Sequence, residues 1–185
     1  MVDGEILASE QQDLGRLQTS MLPLMVRGML ERNGVAFDAV DYVALTNGPG
    51  YFTGIRVGAA YASGLAYACG AKIIPVSSLN MLAESSGMSG KILAMVYAGH
   101  GYVYAECAVS LTAGEYALDE VREWLANKPD AVAISDDPER SGISEAVRVR
   151  PNVTALCELA SARLDSAISP LELKILYYRA PQGVK

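Results

Sequence analysis

Histidine is almost absent from this 185-residue chain, where His100 stands alone, and cysteine is limited to Cys69, Cys107 and Cys157 with no CxxC pair. A metal site built from paired histidines lacks its ligands, and neither a zinc knuckle nor a disulfide framework is suggested. A reducing cytoplasm is the compartment that fits. Long apolar runs are missing too. The longest membrane-like stretch, Val57 to Ala71, has 15 residues without charge, against the roughly 20 that a span needs. Its Gly and Ala content points to a buried or interfacial helix, so no membrane role is expected. Met1-Val2-Asp3-Gly4-Glu5 is acidic and has no apolar h-region, which does not describe a signal peptide. Basic residues are outnumbered 15 to 21, for a net charge of -6 and a pI near 4.8. Such a surface repels phosphate backbones on average, so any contact with a nucleic acid is expected to be indirect.

What the chain does have is apolar mass. It is 51% hydrophobic and 19% charged, the balance of a folded globular protein, and long enough for one domain or two small lobes. Strand and helix signals alternate. Glu5–Glu10 reads as a short strand, followed by a helix from Gln12 or Asp13 to the Asn33-Gly34 stop, with Leu14, Leu17, Met21, Leu24, Met25 and Leu30 as its stripe and Pro23 inside it. Tyr42–Thr46 is a strand ending in Asn47-Gly48-Pro49-Gly50. A helix follows at once, with Thr53 as candidate N-cap and Gly70 as stop. Strands are expected at Lys72–Pro75, Lys91–Tyr97, Tyr102–Ser110 and Ala131–Ser135. Helices are expected from Ser77 or Ser78 to Glu84, from Asp119 to Asn127 and from Asn152 or Thr154 to Leu164, before an extended tail through Pro181. The pattern predicts a mixed α/β sheet in an N-terminal lobe (1–90) and a C-terminal lobe (91–185), divided at Gly87–Gly90.

The Gly-Pro-Gly turn between a strand and a helix presents backbone amides to an anion, and Arg56 adds a forked donor. No Walker-type lysine follows, and the residues alone favour a tight structural turn. The helix after it carries Gly58, Ala59, Ala62, Ser63, Ala66 and Cys69 at three- and four-residue spacing, which lets another backbone approach closely. Packing within the same chain is the preferred reading, and packing against another subunit is the alternative.

This segment resembles the TsaB (YeaZ) family. Its pattern, close to G-x-G-P-G-S-F-T-G-x-R-x-G, is matched by Gly48, Pro49, Gly50, Phe52, Thr53, Gly54, Arg56 and Gly58. Asp3-Gly4, Met21-Leu22-Pro23, Lys72-Ile73-Ile74-Pro75-Val76-Ser77-Ser78-Leu79, Val103-Tyr104 and Tyr178-Arg179-Ala180-Pro181 resemble further family landmarks. The resemblance implies an actin-like (ASKHA, ribonuclease H-like) α/β fold with mixed sheets. It implies a non-catalytic scaffold that holds a TsaD-like paralogue, with a TsaE-like ATPase, for threonylcarbamoylation of the adenosine beside the anticodon of tRNA. Met21, Leu24, Met25, Gly58, Ala59, Ala62, Ser63 and Ala66 are the expected partner-binding residues, and a homodimer through the same face is compatible.

The sequence departs from the family where an earlier strand ending in Asp-Thr-Ser is expected. The first strand is missing or truncated, so an exposed sheet edge is expected to need cover of another kind, and a nucleotide is expected only at an interface with a partner. Tyr97-Ala98-Gly99 stands where Asp-Ala-Arg is usual, and Tyr51 where the pattern has Ser. A stand-alone phosphotransferase of the same fold class, or an M22-like peptidase, is the competing reading. It finds little support in the residues: His100 sits in a Gly-rich turn, there is no G-x-S-x-G elbow, and Asp136-Asp137 and Asp119-Glu120 read as helix starts. No catalytic, metal-ligating or cofactor-binding residue is assigned.

Overall fold

In a computed structural model, which describes residues 1–178, the elements in chain order are α1 (Gln18–Arg32), β1 (Tyr42–Thr46), α2 (Phe52–Cys69), β2 (Lys72–Val76), α3 (Ser78–Ser85), β3 (Lys91–Gly99), β4 (Tyr102–Cys107), β5 (Leu111–Ala117), α4 (Leu118–Ala126), β6 (Ala131–Ser135), α5 (Pro138–Ser141), β7 (Val147–Arg148) and α6 (Val153–Ser161). Of the expected tail, Arg179, Ala180 and Pro181 lie outside the described residues. The chain forms two compact units from interleaved segments. The first takes Met1–Asn47, Phe52–Val76 and Val153–Ile175; the second takes Gly48–Tyr51, Ser77–Asn152 and the segment from Leu176 on. The boundary expected at Gly87–Gly90 is therefore corrected. Those glycines, with φ of +62° and +102°, only turn α3 into β3 inside the second unit. Sequence order misleads because each core is completed by a segment distant in the chain.

In the first unit β1 and β2 run parallel from Tyr42↔Lys72 to Thr46↔Val76, and Ile168 bridges Ile73 on the far side. The outer edge of β1 has no strand partner among the described residues. The strand expected over Glu5–Glu10 does not form. Only a Val2–Glu5 bridge closes around Asp3-Gly4, because an extended segment needs a neighbour to hold its backbone groups. Helix α2 starts at Phe52, so Thr53 lies in the first turn and is not the cap. Gly70 ends it at φ +71°, in the left-handed region that glycine adopts without a Cβ clash. Ala59, Ala62 and Ala66 point at Leu45, Ala71 and Ile73, with Val43, Ile168, Leu173 and Ile175 around them. Alanine at these positions lets the helix axis come close to the strands.

The second unit holds a five-stranded mixed sheet in the order β5-β4-β3-β6-β7. Strand β3 pairs antiparallel with β4 and parallel with β6, in register from Lys91↔Ala131 to Met95↔Ser135. Both faces of β3 are buried. Leu93 and Met95 join Val103, Ala105 and Val121 on one side, and Ala94 and Val96 join Leu79, Leu82 and Ile134 on the other. The apolar run is therefore continuous. Ser77 caps α3 as expected, its Oγ accepting the Leu79 N–H at 3.2 Å. Strand β5 was not expected, since Thr112, Gly114 and Glu115 dilute its β character; its ladder to β4, from Tyr102↔Ala117 to Cys107↔Leu111, supplies what propensity lacks.

Ala66 is fully buried and Ala68 exposed on the same helix. Ala66→Leu is expected to lower unfolding free energy by about 1–3 kcal/mol through overpacking, and Ala68→Leu to change it by under about 0.5 kcal/mol. Urea unfolding of both variants gives the comparison.

Candidate functional site

The Gly-Pro-Gly turn is held from several sides. Gly48 takes φ +110°, the Gly48–Pro49 bond is cis, and the Pro49 side chain is fully buried. The Gly48 carbonyl accepts the Ser78 N–H at 2.8 Å, which fixes the turn to the start of α3. In the first unit, the buried Asn47 donates its backbone N–H to Val76 at 3.0 Å and its side-chain amide to the Lys174 carbonyl at 3.0 Å. Arg56, the candidate anion donor, lies with its guanidinium carbon 4.5 Å from the centre of the Phe52 ring. Both side chains are exposed. These contacts are those of a tight structural turn, the reading the residues alone favoured.

Helix α2 divides its small residues between two faces. Ala59, Ala62 and Ala66 are spent on the unit's own core, so these three expected partner contacts are corrected: the β1–β2 pair already occupies them. Gly58, Ser63, Met21 and Met25 are half-buried, and Leu24 is 52% exposed. The opposite face carries Thr53, Arg56, Ala60, Gly64, Tyr67 and Ala68, all exposed, with Tyr67 at 71%. Ala60, Gly64 and Ala68 repeat every four residues there, the spacing of a close helix contact. The same spacing rule finds them in the sequence, but small residues surround this helix, so spacing alone does not say which set faces the core. Beside α2, α1 has no fully buried residue and leaves Leu24 in solvent, and Leu17 just before it is exposed as well.

At the ends of β3 and β6 in the second unit lies a charged cluster. Asp137 caps α5 by accepting the Arg140 N–H at 3.3 Å. Arg148 donates to the Asp136 carbonyl at 2.9 Å and pairs with Asp137 at 3.7 Å and with Glu139. Burial pushes the Asp136 carboxyl above the usual carboxylate range, opposed by hydrogen bonds from nearby backbone N–H groups and Ser135. Arg140 lies over two rings, with its guanidinium carbon 4.9 Å from the centre of Tyr97 and 5.2 Å from that of Tyr51. The other carboxylate pair noted in the sequence, Asp119-Glu120, lies in the first turn of α4. Asp119 pairs with Arg122 at 2.9 Å, and Glu120 accepts the Ala117 N–H at 2.8 Å at the start of α4. His100 stands exposed in the turn between β3 and β4 with φ +52°. Among the described residues no group of three His, Cys, Asp or Glu could hold a metal ion, and no helix is long and apolar enough to cross a membrane.

The model of the family described as TsaD, tRNA N6-adenosine threonylcarbamoyltransferase, matches residues 13–171. The chain is 38% identical over 71 residues to the tRNA threonylcarbamoyladenosine biosynthesis protein TsaB of Haemophilus influenzae, covering 38% of this chain and 30% of that protein. With the TsaB of Escherichia coli the identity is 31% over 120 residues, covering 63% and 48%. A tRNA N6-adenosine threonylcarbamoyltransferase of Maridesulfovibrio salexigens is 28% identical over 173 residues, covering 85% and 47%. The chain thus spans about half or less of the length of these relatives. Among solved structures, a Pseudomonas aeruginosa protein described as similar to peptidase YeaZ superposes with a TM-score of 0.72 at 25% identity, covering 85% of this chain and 82% of that one. YeaZ from the same organism superposes with a TM-score of 0.68 at 23% identity, covering 87% and 86%. Together with the mixed sheets, these matches fit the actin-like α/β fold.

Because its folded pKa is raised, Asp136 favours the folded state below the ordinary carboxylate pKa of about 4, and that contribution is lost as pH rises through the raised value. Asp136→Asn is therefore expected to raise the thermal midpoint at pH 7 and to leave it unchanged near pH 3. Melting curves at the two pH values check the sign.

Proposed function

The chain belongs to the tRNA N6-adenosine threonylcarbamoyltransferase family and, within it, to the TsaB (YeaZ) group; from that premise we propose that it serves tRNA threonylcarbamoyladenosine biosynthesis as a non-catalytic subunit that holds a TsaD-like partner. The observation that carries this reading is the exposed face of α2. Ala60, Gly64 and Ala68 form a shallow track that another helix can approach closely, and Tyr67 stands beside it with 71% of its surface in solvent. The neighbouring α1 offers Leu24, and its Met21 and Met25 are only partly covered. Small residues that admit a backbone, next to exposed apolar side chains, suit an interface between helices.

The subunit's contribution in this reading is positional. It keeps the catalytic paralogue in a working arrangement, with a TsaE-like ATPase as a further member of the assembly in the cytoplasm. The acidic surface, at a net charge of -6, leaves the tRNA to its partners. The same α2 face suits a second copy in an isologous pair, which would compete with the paralogue for it.

Gly64→Arg tests the face directly. A side chain at Gly64 meets open space, and arginine gains about 1 kcal/mol of helix propensity over glycine, so the fold is expected to hold or tighten. Binding to the TsaD-like protein, measured by calorimetry, is expected to weaken at least about tenfold, or about 1.4 kcal/mol. Unchanged affinity would count against the α2 face as the contact.

A further inference from the structure

Arg140 is the basic side chain that the charged cluster after β6 leaves out. Asp137 and Glu139, its neighbours in sequence, both pair with Arg148. Among the described residues no carboxylate lies within ion-pair distance of the Arg140 guanidinium. That guanidinium instead lies over the rings of Tyr97 and Tyr51, at 4.9 Å and 5.2 Å. Three separate segments meet there: Tyr51 ends the Gly-Pro-Gly turn, Tyr97 lies near the end of β3 and Arg140 belongs to α5. All three belong to the second unit.

A guanidinium resting on aromatic rings is steadied without using its in-plane N–H donors. Those donors form a fork that matches a carboxylate. Arg140 is exposed and Tyr51 is 54% exposed, so the fork is reachable from outside. Tyrosine and arginine are residue types that dominate the energetics of protein interfaces. Charge selects the occupant: one guanidinium on a chain of net charge -6 supplies too little positive field for a polyphosphate backbone, and its single fork matches a single carboxylate.

We infer that Arg140, steadied by Tyr51 and Tyr97, receives an aspartate or glutamate side chain of the TsaD-like partner. The inference rests on the partner-binding reading above and adds a contact on the second unit to the one on α2.

The test titrates the full chain with that partner by calorimetry at low and moderate salt, comparing wild type with Arg140→Ala, Arg140→Lys and Arg122→Ala. Arg140→Ala is expected to bind at least about tenfold more weakly. Arg140→Lys is expected to lose nearly as much, because lysine keeps the charge and lacks the fork. Wild-type affinity should fall faster with salt than that of Arg140→Ala. Arg122, already paired with Asp119, should change affinity less than about twofold. Arg140→Gln, which keeps an extended stem, replaces the alanine variant if that one melts early. Wild-type binding with an unchanged Arg140→Ala overturns this inference and leaves the α2 reading standing. Wild-type affinity in Arg140→Lys also overturns it, since a point charge would then suffice. A wild-type chain that does not bind the partner overturns both.

Discussion

The close approach of α2 to the β1–β2 pair is the contact on which the first unit depends. Ala59, Ala62 and Ala66 carry only a methyl group each, so the helix settles against Leu45 and Ile73 with little side-chain bulk between them. A two-stranded parallel sheet is too small to bury a core by itself. It is held by α2 on one face, by α6 (Val153–Ser161) with its buried Ala155 and Ala160, and by Ile168, Leu173 and Ile175. Because the inner alanines fix the rotation of α2, they also decide that Ala60, Gly64, Tyr67 and Ala68 face outward. The exposed track of small residues is thus a by-product of the core's demand for small residues on the inner face.

Much of the architecture was legible from local pattern. β1 and β6 coincide with the strands read from the apolar runs Tyr42–Thr46 and Ala131–Ser135, and Val121, Trp124 and Leu125 of α4 pack inward as their spacing implied. The errors have physical causes. Glu5–Glu10 looks like a strand, but strand geometry needs a neighbour, and none is present among the described residues. β5 contains Gly114 and alternates weakly, yet the β4 ladder extends through it. The division into lobes failed because a glycine-rich turn resembles a linker whether or not a core continues past it.

The candidate surfaces were legible in the same uneven way. The family motif and the small-residue character of α2 are visible in the letters, whereas the choice of buried face depends on where the strands lie. The meeting of Tyr51, Tyr97 and Arg140 could not be read at all, since nothing in the sequence relates three positions so far apart. The cluster at Arg148 is similar. One arginine joins the end of β6 to α5 through the Asp136 carbonyl and two carboxylates, a pairing set by the β6–β7 register.

Interleaving of the two units also orders their birth on the ribosome. Every strand of the five-stranded sheet exists once Asn152 has been made, but the first unit still lacks α6 and Ile168, Leu173 and Ile175. During that interval the nascent chain carries β1 and β2 with an open edge and an uncovered face, at synthesis rates of about 5–20 residues per second. Such half-built sheets attract other strands. The last residues of the first unit therefore act as a closing clasp, and truncation before Ile175 would cost the N-terminal strands their cover although it removes nothing near them in sequence.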